Sequence, residues 1–371
     1  MRWSNQLHDG AVLLRTPVML ASDDIARDLA ELDGWGERAA SVARTIERSP
    51  EEGVALALEL AQHAGTEVRP IGEGQTLELL EVLATVAAAD LSVARVVETH
   101  LRALAVLRQA RDVMERPPQA GRGSTWGVFD AESPSARLTA TAEGARWTLS
   151  GRKQWCSLAG SLTHAIITAH VGDTTRRAFA VDLRDPGVRV EPVEWTSRGL
   201  AAIPSGPVTF DQVVAAPVGG PNWYAERPGH AWGGVVVAAC WYGGAVGVAR
   251  RLTQAARERQ FDQIGRMQLG ELDVHLHYGR AVLAEAAAQI DGGGAIGVSA
   301  RVLALRVRST VARLVDSITF QANRALGPGP LAVEEDYSRR VADLAVYVRQ
   351  EHGPRDAAAL GEIIEAAATG P

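Results

Sequence analysis

Lysine is nearly absent from this chain: Lys153 is the only one, and arginine supplies every other fixed cation. That imbalance marks a GC-rich genome and carries no function. Cysteine is scarce too. Cys156 and Cys240 stand alone, so no disulfide framework can form, and a reducing cytoplasm is the expected setting. No Cys/His spacing suits a metal, and His275 and His277, two apart, would face different sides of a helix. A G-x-S-x-G elbow and a Walker A loop are both missing, which removes the local signatures of common hydrolases and kinases. Positive charge is not in excess: 38 basic against 44 acidic residues give a net charge of −6, the wrong sign for a dedicated nucleic-acid binder. Phe and Tyr number only 5 each against 9 Trp. Met1–Arg15 lacks the basic and apolar regions of a signal peptide, so none is expected. One uncharged run, Ala231–Ala249, is long enough to span a bilayer. It is rich in Gly and Ala, contains Trp232 and Trp241, and has no second span as company, so a buried core helix is expected and no membrane span.

What is present is ordinary globular material. Apolar residues make up 46% and charged residues 22% of 371, enough for a large core and two or three domains. The first third reads as helical. Ser49-Pro50-Glu51-Glu52 is a helix start, with Gly65 expected to close the run. Thr76–Leu107 is apolar-periodic, with Asp90 placed to cap a second helix. Pro117-Pro118 is expected to end the helical region.

From about Gly121 short β-type runs follow one another between Gly, Pro, Asp and Ser: Thr125–Phe129, Leu138–Ala142, Arg146–Leu149, Ala165–Val171, Ala178–Leu183, Val188–Val193 and Val208–Val214. Their spacing predicts a compact antiparallel barrel or sandwich. Beyond Pro217–Pro228 the chain reads as helical again, with turns at Gly292-Gly293-Gly294 and Gly327-Pro328-Gly329-Pro330, a helix over Val333–Gln350 and a last one over Ala357–Ala368. The expectation is α+β in the order α, β, α: an N-terminal helical domain over 1–120, a central β-barrel over 121–227 and a C-terminal helical bundle over 228–371.

Val235–Cys240 followed by Gly243-Gly244-Ala245-Val246-Gly247 imitates a strand and a phosphate-binding turn, but the glycine spacing is wrong and no βαβ unit follows. Close helix packing through glycines is the better reading. A more specific pattern is Trp147-Thr148-Leu149-Ser150-Gly151-Arg152-Lys153-Gln154-Trp155-Cys156-Ser157, preceded by Glu143-Gly144-Ala145. It resembles a glycine-turned strand of the acyl-CoA dehydrogenase family, whose architecture has the same α, β, α order. Gly72-Glu73-Gly74 through Asp90 to His100 resembles that family's amino-terminal helical region. Arg198-Gly199, Val208–Val213 and Pro217 resemble the exit from its barrel. Leu326–Pro330, then Arg339-Arg340-Val341-Ala342-Asp343 and Val346-Tyr347, resemble the segment before its catalytic base.

The resemblance implies FAD held between barrel and C-terminal helices, with Trp155 against the isoalloxazine ring and the Ser157 hydroxyl near flavin N5. A flat aromatic suits a flat ring, and a donor at N5 tunes the acceptor. The alternative is that Trp155 is merely a barrel core residue and Ser157 a loop residue; the surrounding motif favours the flavin reading. Phe129–Ser135 occupies the family's flavin loop but departs from it: Ser135 matches, and Phe129 stands where a threonine is usual. Arg257 or Arg259 could serve the adenine side, against a solvated charged face. Arg324 and Gly327 fall where a partner subunit reaches the cofactor, which implies a homodimer, a tetramer or a heteromeric partner. Counting eight residues from Asp343 places Glu351 as the base, without the family's glycine after it. The implied activity is α,β-dehydrogenation of an acyl-CoA thioester, the base taking the α-proton while the β-hydride passes to N5. The alternatives are a flavin monooxygenase on the same fold, or a non-catalytic subunit that supports a catalytic partner.

Overall fold

The computed structural model describes residues 17–20, 29–114, 120–121 and 123–369. Met1–Arg15 and Pro117-Pro118 lie outside them. The N-terminal helices are α1 (Leu29–Arg48), α2 (Pro50–Glu67), α3 (Thr76–Ala89) and α4 (Leu91–Gln109). Pro50 opens α2 as its first residue, but the Ser49 side chain makes no capping bond. α2 runs past Gly65 to Glu67, because that glycine, far from ending the helix, is where α2 packs against Leu104 and His100 of α4. Asp90 caps α4 as expected, its carboxylate accepting from Val93 N at 2.9 Å. Asp291 does the same work for α3 from far along the chain, accepting from Thr76 N at 2.8 Å and from the Thr76 hydroxyl at 2.6 Å.

The central strands are β1 (Trp126–Phe129), β2 (Leu138–Glu143), β3 (Arg146–Ser157), β4 (His164–His170), β5 (Arg176–Asp182), β6 (Val188–Val190) and β7 (Ser205–Val218). β2, β3, β7, β5 and β4 pair in a closed ring, completed where Thr139 meets His170. β1 extends the ring beside β4 and β6 beside β7. The barrel is therefore mixed and not purely antiparallel: β1 and β2 both run parallel to β4. The hairpin strand expected to stop at Leu149 continues to Ser157. It passes Gly151, whose φ is +119° and whose absent Cβ leaves room for the Arg137 carbonyl. Two register shifts against β7, at Leu149/Gly151 and Lys153/Cys156, bend the strand.

The second helical region comprises α5 (Trp223–Glu226), α6 (Pro228–Glu258), α7 (Gln263–Asp291), α8 (Gly297–Leu326), α9 (Pro328–Val333), α10 (Glu335–Tyr347) and α11 (Pro354–Thr369). The helix expected over Val333–Gln350 starts two residues later and tightens to a 3₁₀ turn at Val348–Gln350. The uncharged run lies inside α6. This is the one described helix with the length and hydropathy of a membrane span, and 78% of its most apolar window is buried in the fold. Val235–Gly247 is helical throughout, so it holds no strand-turn phosphate site. Its glycines serve packing: a Cβ on Gly243 would overlap the Ala84 carbonyl of α3.

The string Arg339-Arg340-x-x-Asp343 ties the three regions together. Arg340 donates to the carbonyls of Ala88 at 2.6 Å and Ala89 at 2.9 Å, closing the C-terminus of α3. Arg339 pairs with Asp90 at 3.1 Å and with Glu47 at 2.8 Å. Asp343, 1% exposed, accepts from Leu200 N at 2.6 Å. Gly199 permits that bond, since a Cβ there would overlap the Ala342 carbonyl.

Candidate functional site

The second shift of β3 falls on Trp155. Its φ is +60°, a left-handed conformation that costs a bulky residue about 1–2 kcal/mol. The same residue is 59% exposed. Strain and an exposed indole together gain the fold nothing, and Trp155 is not the barrel core residue that composition allowed. Two residues on, Ser157 is buried and shares a hydrogen bond of 2.6 Å with Ser205 of β7. Between them, the Cys156 thiol is pushed up to about 12 by burial, which makes it inert. Lys153, 4% exposed, is fully engaged: its ammonium donates to Glu132 at 2.7 Å, to the Thr168 carbonyl at 2.9 Å and to the Thr168 hydroxyl at 3.0 Å. Glu132 also meets His170 at 3.2 Å and Arg176 at 3.3 Å. The single lysine thus pins the 129–135 loop to the barrel.

A buried ionic network starts at Ser157. Arg95 of α4 reaches its hydroxyl at 3.5 Å, pairs with Glu98 and donates to Thr99 at 2.6 Å. Glu98 has no exposed surface, accepts from Arg102 at 3.2 Å and lies 3.5 Å from the Tyr347 hydroxyl. Burial works against the Arg95 cation, but Glu98 outweighs it and its pKa ends above the ordinary value. Arg102 in turn faces Asp130 at 3.9 Å, to which the Tyr224 hydroxyl donates at 2.8 Å. Burial raises the Asp130 pKa, but Arg102 and the Tyr224 hydrogen bond overcome it and hold the carboxyl below its usual range. Arg227 lies over the Tyr224 ring at 4.6 Å. Beyond it opens a cavity of about 490 Å³ between the α2–α3 connection, α4 and the start of α6.

The other expected site residues are not brought together. Phe129 is 2% exposed and belongs to the core, whereas Ser135 is on the surface, bonded to Ser133 at 2.9 Å. Arg324 is exposed and stacks on Phe320 at 5.4 Å, and Gly327 caps α8 with φ +76°. Glu351 follows the 3₁₀ turn, where it accepts from Ser309 at 3.2 Å and from Gly353 N at 2.7 Å. Among the described residues no hydrogen bond, ion pair or ring contact joins Glu351, Arg324 or Gly327 to the Ser157 cluster. Arg259 donates to the Ala325 carbonyl at 3.2 Å and lies over Phe261 at 5.4 Å.

Sequence reasoning passed over Arg95, Glu98, Thr99 and Arg102. A signal was present. At spacings of three, four and seven they share one face of a helix whose remaining face is apolar, and a polar stripe reads as solvated until a second layer covers it.

Helices, mixed barrel and helical bundle define an acyl-CoA-dehydrogenase-like fold. Residues 126–213 match the family described as acyl-CoA dehydrogenase, middle domain, so the expected resemblance holds for the barrel in sequence, and for 92% of the chain in fold. KijD3, solved with FMN and a dTDP-linked amino-keto sugar, is 21% identical over 92% of each chain, with a TM-score of 0.72. A nitrososynthase from Micromonospora carbonacea var. africana is 19% identical over 92% of this chain and 96% of its own, TM-score 0.72. TdsC, a dibenzothiophene monooxygenase from Paenibacillus sp. A11-2 solved with FMN and indole, is 20% identical over 90% and 96%, TM-score 0.74. No curated protein sequence matches the chain.

Proposed function

We propose that this chain is a flavin-dependent oxidoreductase acting as a monooxygenase, with its flavin on the Trp155–Ser157 ledge and its substrate in the cavity beside α4 and α6. One observation carries this choice over dehydrogenation: among the described residues, the carboxylate linked to Ser157 through Arg95 is Glu98, and two guanidiniums already occupy it. Glu98 accepts from Arg95 and Arg102 and faces Tyr347, and Glu351 bonds to Ser309 and Gly353 N instead of to this cluster. An oxygen-inserting enzyme needs no carboxylate base. The fold's likeness to KijD3 and TdsC, both solved with FMN, supports the reading.

The residues of the ledge fit a flavin at its ring end. An exposed indole held at a strained angle offers a flat face, and the Ser157–Ser205 hydroxyl pair, one O–H of which is spent between them, offers its remaining O–H to the polar edge. A flavin held there would supply the redox chemistry, the two electrons by which one oxygen atom of O₂ would enter the substrate and the other leave as water. The chain's own part is to hold Ser157 in place through Ser205 and Arg95, and to keep the buried charges beside it fixed and paired. Arg324 and Gly327 are proposed to reach the cofactor from a second copy of the chain.

The test begins with the visible spectrum of the purified protein. A flavin band is expected, and its absence would support a non-catalytic subunit. The mass of the released chromophore separates FMN from FAD. The reduced enzyme should then consume O₂ faster with substrate present. Anaerobic bleaching by any acyl-CoA, abolished in Glu351→Gln, would replace the monooxygenase reading with dehydrogenation.

A further inference from the structure

We propose that the cavity between α4 and α6 is a carboxylate-recognition site. It takes a small organic acid whose carboxylate sits on Arg227 and whose apolar body lies along Leu79, Leu101 and Val236.

The charge count of the network leads there. Three guanidiniums, Arg95, Arg102 and Arg227, are strung along it, but only two carboxylates, Glu98 and Asp130, are built in to meet them. Glu98 takes both Arg95 and Arg102, and Asp130 takes Arg102 with help from Tyr224. Arg227 is left over. It is 9% exposed, no carboxylate of the described residues lies within ion-pair distance of it, and its Nε has no hydrogen-bond partner. What it does have is neutral: the amide oxygen of Gln109 at 3.2 Å, and the rings of Tyr224 and Trp223 at 4.6 and 6.0 Å. Burial pulls its pKa down, and the opposing pull of Tyr224 and the more distant Asp130 does not make up for it.

Two further features favour an anion. Arg227 is the N-cap of α6, a 31-residue helix, so the positive end of the helix dipole points to the same wall. Gly229, in the first turn, also lines the cavity, and lacks the Cβ that would displace Gln109 from Arg227. Ile71, Leu79, Leu101, Leu104 and Val236 supply apolar lining, while Glu67, Arg69 and His230 also border the cavity. Arg108 at the rim is already taken by Glu73 at 2.8 Å. Arg69 and Glu67 also line the cavity but are exposed at its mouth, so Arg227 is the buried guanidinium there without an ion pair, and it asks for a single negative charge. A carboxylate meets the fork of Arg227 bidentately, whereas a phosphate dianion would leave excess charge buried. The proposal deepens the monooxygenase reading and rests on it for the fate of the acid; the binding needs no flavin.

The experiment is calorimetric titration of the full chain with 3-phenylpropionate and with octanoate, each against its primary amide. At least one acid is expected to bind tenfold or more tightly than its amide. Arg227→Gln should erase the difference while leaving amide binding in place, and Arg227→Lys should keep part of it. Equal binding of acid and amide, no binding of either acid, or a preference that survives Arg227→Gln would overturn the proposal. So would tighter binding of inorganic phosphate than of both acids. The acid-to-amide ratio is read on the parent protein, so it stands even if the glutamine variant fails to fold. A parent without a flavin band that still prefers the acid would sink the monooxygenase reading alone. A flavin-loaded parent without that preference would sink the carboxylate site alone.

Discussion

Two buried ionic clusters hold this molecule, and they are built on opposite plans. The cluster on α10 spends its charges on backbone. Arg340 closes the carbonyls that end α3, Asp343 holds Leu200 N, and Arg339 meets Asp90, itself the cap of α4. The cluster on α4 spends its charges on side chains, from Ser157 through Arg95, Glu98 and Arg102 to Asp130, and ends with Arg227 unpaired beside a cavity. Groups that satisfy backbone ends are explained by the fold. A row of side-chain ions with one charge left over is not, because apolar residues of similar size would serve stability as well or better.

The largest expected effect breaks the second cluster. Glu98→Ala strands Arg95 in the interior and leaves Arg102 only the longer contact with Asp130, a loss of about 3–5 kcal/mol typical of removing one partner of a buried pair. Chemical denaturation measures it. A triple replacement of Arg95, Glu98 and Arg102 by Met, Leu and Met should recover most of the loss while abolishing turnover. If the triple variant is as unstable as Glu98→Ala, the network is structural and the contrast collapses. Next comes Arg340→Met, which leaves the Ala88 and Ala89 carbonyls without their donor and should cost about 2–3 kcal/mol, the desolvation penalty of orphaned buried groups. No apolar repacking should rescue it, since the unmet partners are backbone.

The α10 cluster was half legible in the sequence and the α4 cluster was not, for different reasons. The α10 string stood out as part of a family-like segment, yet its role needed three distant pieces of chain. Asp343 meets a loop residue 143 positions away, and nothing local announces that. The α, β, α order and the hairpin start of β3 were legible because turn glycines and alternation are local signals. Alternation carried the strand only to Leu149, and its run on to Ser157 past Gly151 rests on pairing with β7. Closure of the barrel through parallel contacts with β4 was not legible, because parallel pairing joins strands distant in sequence. The α4 stripe was hidden by its chemistry: Arg, Glu and Thr on a helix face read as solvated until the fold buries them.

A third prediction uses pH. Burial, the largest influence, lifts the Asp343 carboxyl to about 7 despite the Leu200 hydrogen bond. Its folded pKa is raised, so the fold binds a proton that the unfolded chain releases. Its contribution to stability is fully present below the ordinary carboxylate range and is lost as pH rises through about 7. Asp343→Asn keeps an acceptor for Leu200 N and cannot ionise. Stability measured from pH 4 to 8 should decline less steeply with pH in the variant than in the parent. Parallel profiles would mean that Asp343 stays ionised and that the α10 cluster is a charge network like the other.

The smallest effect on stability is expected at Trp155, where the effect on function should be large. Glycine adopts a φ of +60° freely, so Trp155→Gly relieves about 1–2 kcal/mol of backbone strain. Against that stand the added chain entropy of glycine, about 0.5–1 kcal/mol, and the packing of an indole already 59% exposed. The terms nearly cancel, and the melting midpoint should move by a few degrees at most. Stacking of a ring on an aromatic side chain is worth about 1–3 kcal/mol, by analogy with bases on aromatic platforms. Flavin should therefore bind about 5- to 150-fold more weakly to the variant, read by fluorescence titration of the apoprotein. A variant that unfolds readily but binds flavin like the parent would make Trp155 a structural residue. A variant that folds like the parent and loses flavin would mean that the strained, exposed tryptophan is held in place for the cofactor.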